Sequence, residues 1–209
     1  MLKLLEKDLF ELRILEFLNN IKSDANHVIP ILDSFHLDIG TVIALPIASR
    51  LDCRDFTTPP VALNLMYQLI DAVAFIHENR VAHCDLKPDN ILVSCTDNHL
   101  RLVVIDFGAS DFVDSPDTQI KGFVGTPQWV APEIGTEHGP SQTYSPIRAD
   151  LWACGKLLLY MAPPSLGQLR IIQLARDLSS GDPLQRPLIH AGTTVHLIEA
   201  TKDSLSTIT

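Results

Sequence analysis

The chain has 209 residues, 46% of them hydrophobic, and carries 25 acidic against 16 basic side chains for a net charge of −9. An acidic surface repels a phosphate backbone, which excludes non-specific nucleic-acid binding, and the apolar fraction suits one domain with a buried core. No apolar run approaches the length of a membrane span, and the opening MLKLLEKDLFEL breaks its leucines with charges, so neither a membrane segment nor a signal peptide is expected. An intracellular protein, cytoplasmic or nuclear, is the expectation. The four cysteines, Cys53, Cys84, Cys95 and Cys154, show no metal-ligand spacing and read as structural thiols.

Over residues 2–21 the apolar positions Leu5, Leu9, Leu12 and Ile14 to Leu18 recur near helical spacing between charged residues, which predicts an amphipathic helix. VIPILDSF and TVIALPIA, parted by the turn-prone HLDIG, predict two antiparallel strands. After TTPP, residues 61–78 carry two adjoining apolar stripes, Leu65, Leu69, Ala72 and Ile76 beside Met66, Ile70 and Val73. So wide an apolar arc predicts a largely buried helix. ILVS and LRLVVIDFG follow as two short strands around the polar turn CTDNH. Residues 110–126 lose periodicity and gather Ser, Thr, Asp and Gly, as a long loop does. A further helix begins at YSPIRADLWACGKLLLYM, where Ser145 can cap free amides, Pro146 suits the first helical position and APP ends the helix.

The stretch VAHCDLKPDNILV places a carboxylate, an ammonium and an amide, Asp85, Lys87 and Asn90, within an apolar frame. Such a triad is costly to pack in a core and suits a polar loop held at the edge of a site. DFG at Asp106 to Gly108 and GTPQWVAPE from Gly125 to Glu133 follow it in order. A lone DFG or Asp-x-Lys carries little weight, but the ordered set closely resembles the catalytic loop, metal-binding turn and activation-segment end of eukaryotic protein kinases.

The resemblance covers roughly residues 5–188 and implies an α+β, protein-kinase-like fold. Residues 1–50 would be a truncated small lobe with one helix and two strands, and residues 51–209 a mainly helical large lobe. It implies transfer of phosphate from ATP to Ser or Thr of a protein substrate. Asp85 would be the base and Lys87 the γ-phosphate contact, with Asn90 and Asp106 as Mg2+ ligands and Phe107 anchoring the turn. Leu45 and Ile47, in ALPI, fall where the adenine-contacting hinge lies in the family. Asp150, Trp152 and Gly155 resemble the buried central helix, Glu133 and Arg186 the buried ion pair, and Glu11 the helix glutamate that pairs with a strand lysine. DLKPDN together with GTPxWxAPE resembles serine/threonine kinases more than tyrosine kinases.

The sequence departs from the pattern as well. It holds no GxGxxG and no VAIK, and neither Lys3 nor Lys7 is expected to replace the strand lysine. Cys84 stands where the family has the Arg of HRD, which implies less switching by activation-loop phosphate. The stretch between Met161 and Arg186 is short for a substrate-docking region. Impaired catalysis is therefore expected, and a second reading stays open: a pseudokinase or kinase fragment acting as a non-catalytic binding module.

Overall fold

The computed structural model describes residues 1–5, 9–51, 58–96, 99–167 and 169–206. Its first element corrects the helix expected over residues 2–21. Strand β1 (Leu2–Leu5) comes first, and helix α1 (Phe10–Asn19) only afterwards. A short apolar run satisfies both periods, and here pairing decides between them. β2 (Asp33–Leu37) and β3 (Gly40–Ala44) form a hairpin where one was expected, its first strand starting five residues later than VIPILDSF, and β1 pairs antiparallel with β3 from Leu2↔Ala44 to Leu5↔Thr41. The sheet therefore has three strands in the order β1-β3-β2, one more than the sequence reading allowed. Alternation turns Lys3 and Leu5 to one face and leaves Leu2 and Leu4 exposed on the other. α1 buries Leu12, Ile14, Leu15 and Leu18.

Beyond β4 (Ser49–Arg50) runs helix α2 (Pro59–Glu78), close to the expected span, with proline in its first turn. By length and composition it could cross a bilayer, contrary to the sequence expectation. Ten of its residues, both predicted stripes among them, are instead buried in the protein core. β5 (Val81–Ala82) leads into the polar loop. β6 (Ile91–Thr96) and β7 (His99–Val104) pair from Ile91↔Val104 to Thr96↔His99, with β4 added on the other side of β6. Residues 27–29 lie along β7, where the Ile29 amide donates to Val104 O at 3.0 Å and the Val104 amide to His27 O at 2.8 Å.

The segment expected as one long loop is pinned twice. β8 (Asp111–Phe112) pairs with β5, and β9 (Ile120–Lys121) pairs with β10 (Thr143–Tyr144). Helix α3 (Pro146–Met161) starts as read: Ser145 Oγ accepts the Arg148 amide at 3.1 Å and Pro146 occupies the first turn. α4 (Arg170–Leu178) packs on α3, and α5 (Thr193–Ser206) is tied to α2, where Thr194 Oγ1 donates to Asp71 Oδ1 at 2.5 Å. Sequence reading missed both helices, although α4 is strongly amphipathic. A continuous apolar core runs from Leu5 through α1, α2, β6, β7, α3 and α4 to Ile189. Cys84, Cys95 and Cys154 are free thiols; Cys53 and Lys7 lie outside the described residues.

Candidate active site

Asp150, buried on α3, organises the loop before Asp85. Its Oδ2 accepts the His83 amide at 2.6 Å and its Oδ1 the Cys84 amide at 2.8 Å, while His77 Nε2 lies 3.1 Å from Oδ2. Cys84 is thereby held at φ +64°, a conformation rare for a residue with a side chain. Its thiol packs with Ala82, Val113 and Ile147, and burial, then the charges of Asp150, Asp111 and Asp85, push its pKa well up. Where the family carries a guanidinium, this chain has a neutral apolar contact. His83 Nε2 meets Ile105 O at 3.0 Å and its ring lies 4.8 Å from that of Phe107. Phe107 is fully buried, so it anchors the turn as expected.

The polar triad converges. Lys87 Nζ donates to Asp85 Oδ2 at 2.6 Å and to Thr126 Oγ1 at 2.6 Å, and Thr126 Oγ1 donates to Asp85 Oδ1 at 2.7 Å. Asn90 Nδ2 donates to Asp85 O at 2.8 Å and reaches Asp85 Oδ2 at 3.2 Å. Three donors from three positions thus hold one carboxylate. Thr126, which the sequence places in the GTP motif at the end of the loop, belongs to this cluster.

The larger correction concerns Lys3. Its ammonium donates to Glu11 Oε1 at 2.6 Å and to Asp106 Oδ1 at 2.8 Å, so it occupies the place of the strand lysine that the sequence reading judged absent. The signal was present in MLKLL, a lysine centred in an alternating strand, but helical spacing obscured it. Burial alone would raise the Asp106 pKa; the hydrogen bond and charge of Lys3, with His83 and Lys87 further off, outweigh it and hold the carboxyl below its ordinary value. Asp106 itself sits at φ +65°.

Lys3, Glu11, Leu45, Lys87, Asn90 and Asp106 line one open cavity of about 370 Å³, within the range of small-molecule sites. Ile47 is not brought in. It is 88% exposed and lines a different, larger cavity of about 950 Å³. That larger space holds none of the convergent polar groups, so the chemistry lies in the smaller one. Asn90 Oδ1 and Asp106 Oδ2 remain as hard oxygen donors there, and among the described residues no group of three His, Cys, Asp or Glu could hold a metal unaided. Two protein oxygens suit Mg2+, which keeps waters and shares phosphate oxygens.

Behind the site, Arg186 and Glu133 form the expected buried pair, bidentate at 2.6 and 2.9 Å. Arg186 also donates to Ser180 O and Arg148 O at 2.8 Å each.

A lysine–glutamate pair beside a left-handed DFG aspartate, and a loop aspartate clasped by lysine and threonine, form the arrangement that the resemblance to protein kinases implies. The protein kinase domain model matches residues 9–168, and the chain belongs to that family. It is 31% identical over 159 residues to the phosphorylase b kinase gamma catalytic chain, liver/testis isoform, of Bos taurus, covering 71% of this chain and 38% of that one. It is 44% identical over 96 residues to CBL-interacting protein kinase 19 of Oryza sativa subsp. japonica, covering 45% of this chain and 18% of that one. Over 103 residues it is 40% identical to CBL-interacting serine/threonine-protein kinase 15 of Arabidopsis thaliana, covering 48% and 23%. The chain thus spans well under half the length of these relatives. The family-model match begins at residue 9 and does not reach Lys3, whose place is read from its contacts in the structure.

Proposed function

We propose that this chain is a protein serine/threonine kinase domain that transfers phosphate from ATP, bound with Mg2+, to a hydroxyl of a protein substrate. Residues 1–50 serve as the small lobe, residues 51–209 as the large lobe, and the cleft lies between them. The observation that carries the reading is the Asp85 carboxylate held by Lys87, Thr126 and Asn90, next to the Lys3–Glu11–Asp106 cluster.

Asp85 orients the acceptor hydroxyl and takes its proton as the hydroxyl oxygen bonds the γ-phosphorus and the bond from that phosphorus to the bridging oxygen breaks, releasing ADP. Lys87 places its positive charge beside the transferred group, and Lys3, fixed by Glu11, contacts the phosphates further along. Asn90 anchors Asp85 through its amide nitrogen and keeps its carbonyl oxygen for the metal, which Asp106 shares. Asn90 and Asp106 would hold Mg2+, which would supply neutralisation of the phosphate charge. Leu45 forms the apolar wall at the hinge. The location expected for such an enzyme is inside the cell, where ATP is made.

The binding-module reading leaned on the missing Gly-rich loop and the missing strand lysine; the Lys3–Glu11 pair answers the second of these and there supports the enzyme. Two variants test the roles. Asp85→Asn should abolish transfer to a protein substrate while MgATP affinity stays within about twofold, because its side chain does not hold the nucleotide. Asp106→Asn should weaken MgATP binding itself. Equal loss of binding in both variants would overturn the assignment, and a wild-type chain that binds MgATP but never transfers phosphate would favour the binding module.

A further inference from the structure

We propose that Lys156, far along α3 from the catalytic loop, is a positioning residue that sets the turn carrying Thr126 onto Asp85; this deepens the kinase reading and rests on it. Lys156 is half-buried, and its ammonium donates to the backbone carbonyl of Gln128. It also lies 5.3 Å from the ring centroid of Trp129 and 4.7 Å from that of Trp152, so two aromatic faces and one carbonyl hold a single cation. Tyr160, one helical turn on, meets Trp129 edge to face at 6.1 Å and closes the arrangement.

The carbonyl that Lys156 grips belongs to a strained residue. Gln128 sits at φ +76°, a conformation that disfavours any side chain, and an exposed glutamine offers nothing of its own to hold it there. The turn is closed by the Trp129 amide donating to Thr126 O at 2.9 Å. Its other end is locked at Gly125, with φ +111°, where a Cβ would come within 2.8 Å of Val130 Cγ1 and 2.9 Å of Cys84 O. Between these two points stands Thr126, with its hydroxyl on Asp85 and Lys87. Lys156 touches neither substrate nor Asp85; it acts through Gln128 and Trp129 by holding the backbone that presents Thr126.

Both tryptophans of the chain flank Lys156, so intrinsic fluorescence reads the site directly. The test compares the full chain with Lys156→Met, Lys156→Arg and the double variant Lys156→Met/Gln128→Gly. Lys156→Met should speed exchange of the Trp129 amide by about tenfold and open Trp129 to acrylamide quenching, while the buried amides of α2 stay protected. It should lower kcat by about tenfold with the KM for MgATP unchanged. Lys156→Arg, which keeps a cation able to reach the carbonyl, should restore both. Gln128→Gly in the methionine background should restore kcat in part, because glycine adopts the positive φ freely. Unchanged exchange and quenching in Lys156→Met would overturn the proposal, as would a loss that neither arginine nor glycine repairs. If the wild-type chain transferred no phosphate, the kinase reading would fall, while the exchange and quenching measurements would still decide the role of Lys156.

Discussion

Lys3 Nζ lies 2.6 Å from Glu11 Oε1, joining the first strand of the sheet to the helix behind it, and the same ammonium reaches Asp106. One cation therefore ties the small sheet, α1 and the DFG turn together.

Removing that cation tests the pair. Lys3→Met should lower phosphate transfer by about a hundredfold or more, the usual cost of losing one preorganised charge contact. Glu11→Gln, which leaves the ammonium in place, should cost less. The pH dependence follows from the shifts. Burial opposes charge on Lys3, but the hydrogen bonds to Asp106 and Glu11 raise its pKa above the ordinary 10.5, so its contribution is lost only as pH rises past that value. Asp106 is held below its ordinary 3.8, so its contribution is lost only as pH falls below that value. MgATP affinity should be insensitive to this pair between about pH 5 and pH 9. A titration of affinity against pH checks it.

Arg186→Ala should destabilise the fold by about 3–5 kcal/mol, because it leaves the Glu133 carboxylate uncompensated where the bidentate pair was. Glu133→Gln, which keeps an acceptor for the guanidinium, should cost less. Denaturant unfolding of the two variants measures the difference.

Gly155 sits where α3 meets α4, and a Cβ there would lie 2.6 Å from Ala175 O, 2.6 Å from Ser179 Oγ and 2.8 Å from Leu178 Cβ. Backbone atoms cannot rotate away, so Gly155→Ala should cost about 1–3 kcal/mol despite the better helix propensity of alanine. A Tm at or above that of the wild type would show that the helices can separate freely.

His27 is buried, with Nδ1 2.8 Å from Leu102 O. Burial, helped by Arg101, outweighs that hydrogen bond and Asp71 and lowers its pKa from 6.5. Between the lowered value and 6.5 the unfolded chain binds a proton that the fold does not, so stability should rise with pH through that window and its contribution should be complete above 6.5. His27→Gln should flatten the slope in urea unfolding measured from pH 5 to pH 7.

Much of this protein was legible in the chain. Asp85, Lys87, Asn90 and Asp106 stood out because short polar motifs in apolar frames keep their spacing in the sequence. α2, the β2–β3 hairpin, the β6–β7 hairpin and the capped start of α3 followed from local periodicity and local caps, which depend on near neighbours. The Glu133–Arg186 pair came only from the resemblance, since nothing in either local stretch announces a partner 53 residues away.

What the tertiary structure alone decided depends on long-range pairing. MLKLL reads as helix until β3, forty residues later, supplies its hydrogen bonds, and only then does Lys3 point at Glu11 and Asp106. Ile47 stands two residues from Leu45, yet Leu45 is buried and Ile47 is exposed, which hydropathy cannot distinguish. Thr126 and Lys156 lie 41 and 71 residues from Asp85 in sequence; Thr126 meets the carboxylate directly, and Lys156 donates to the Gln128 carbonyl two residues beyond Thr126. Local residue patterns set the elements and the reactive groups; which groups face one another was set by sheet register and helix packing, forces that act across the chain rather than along it.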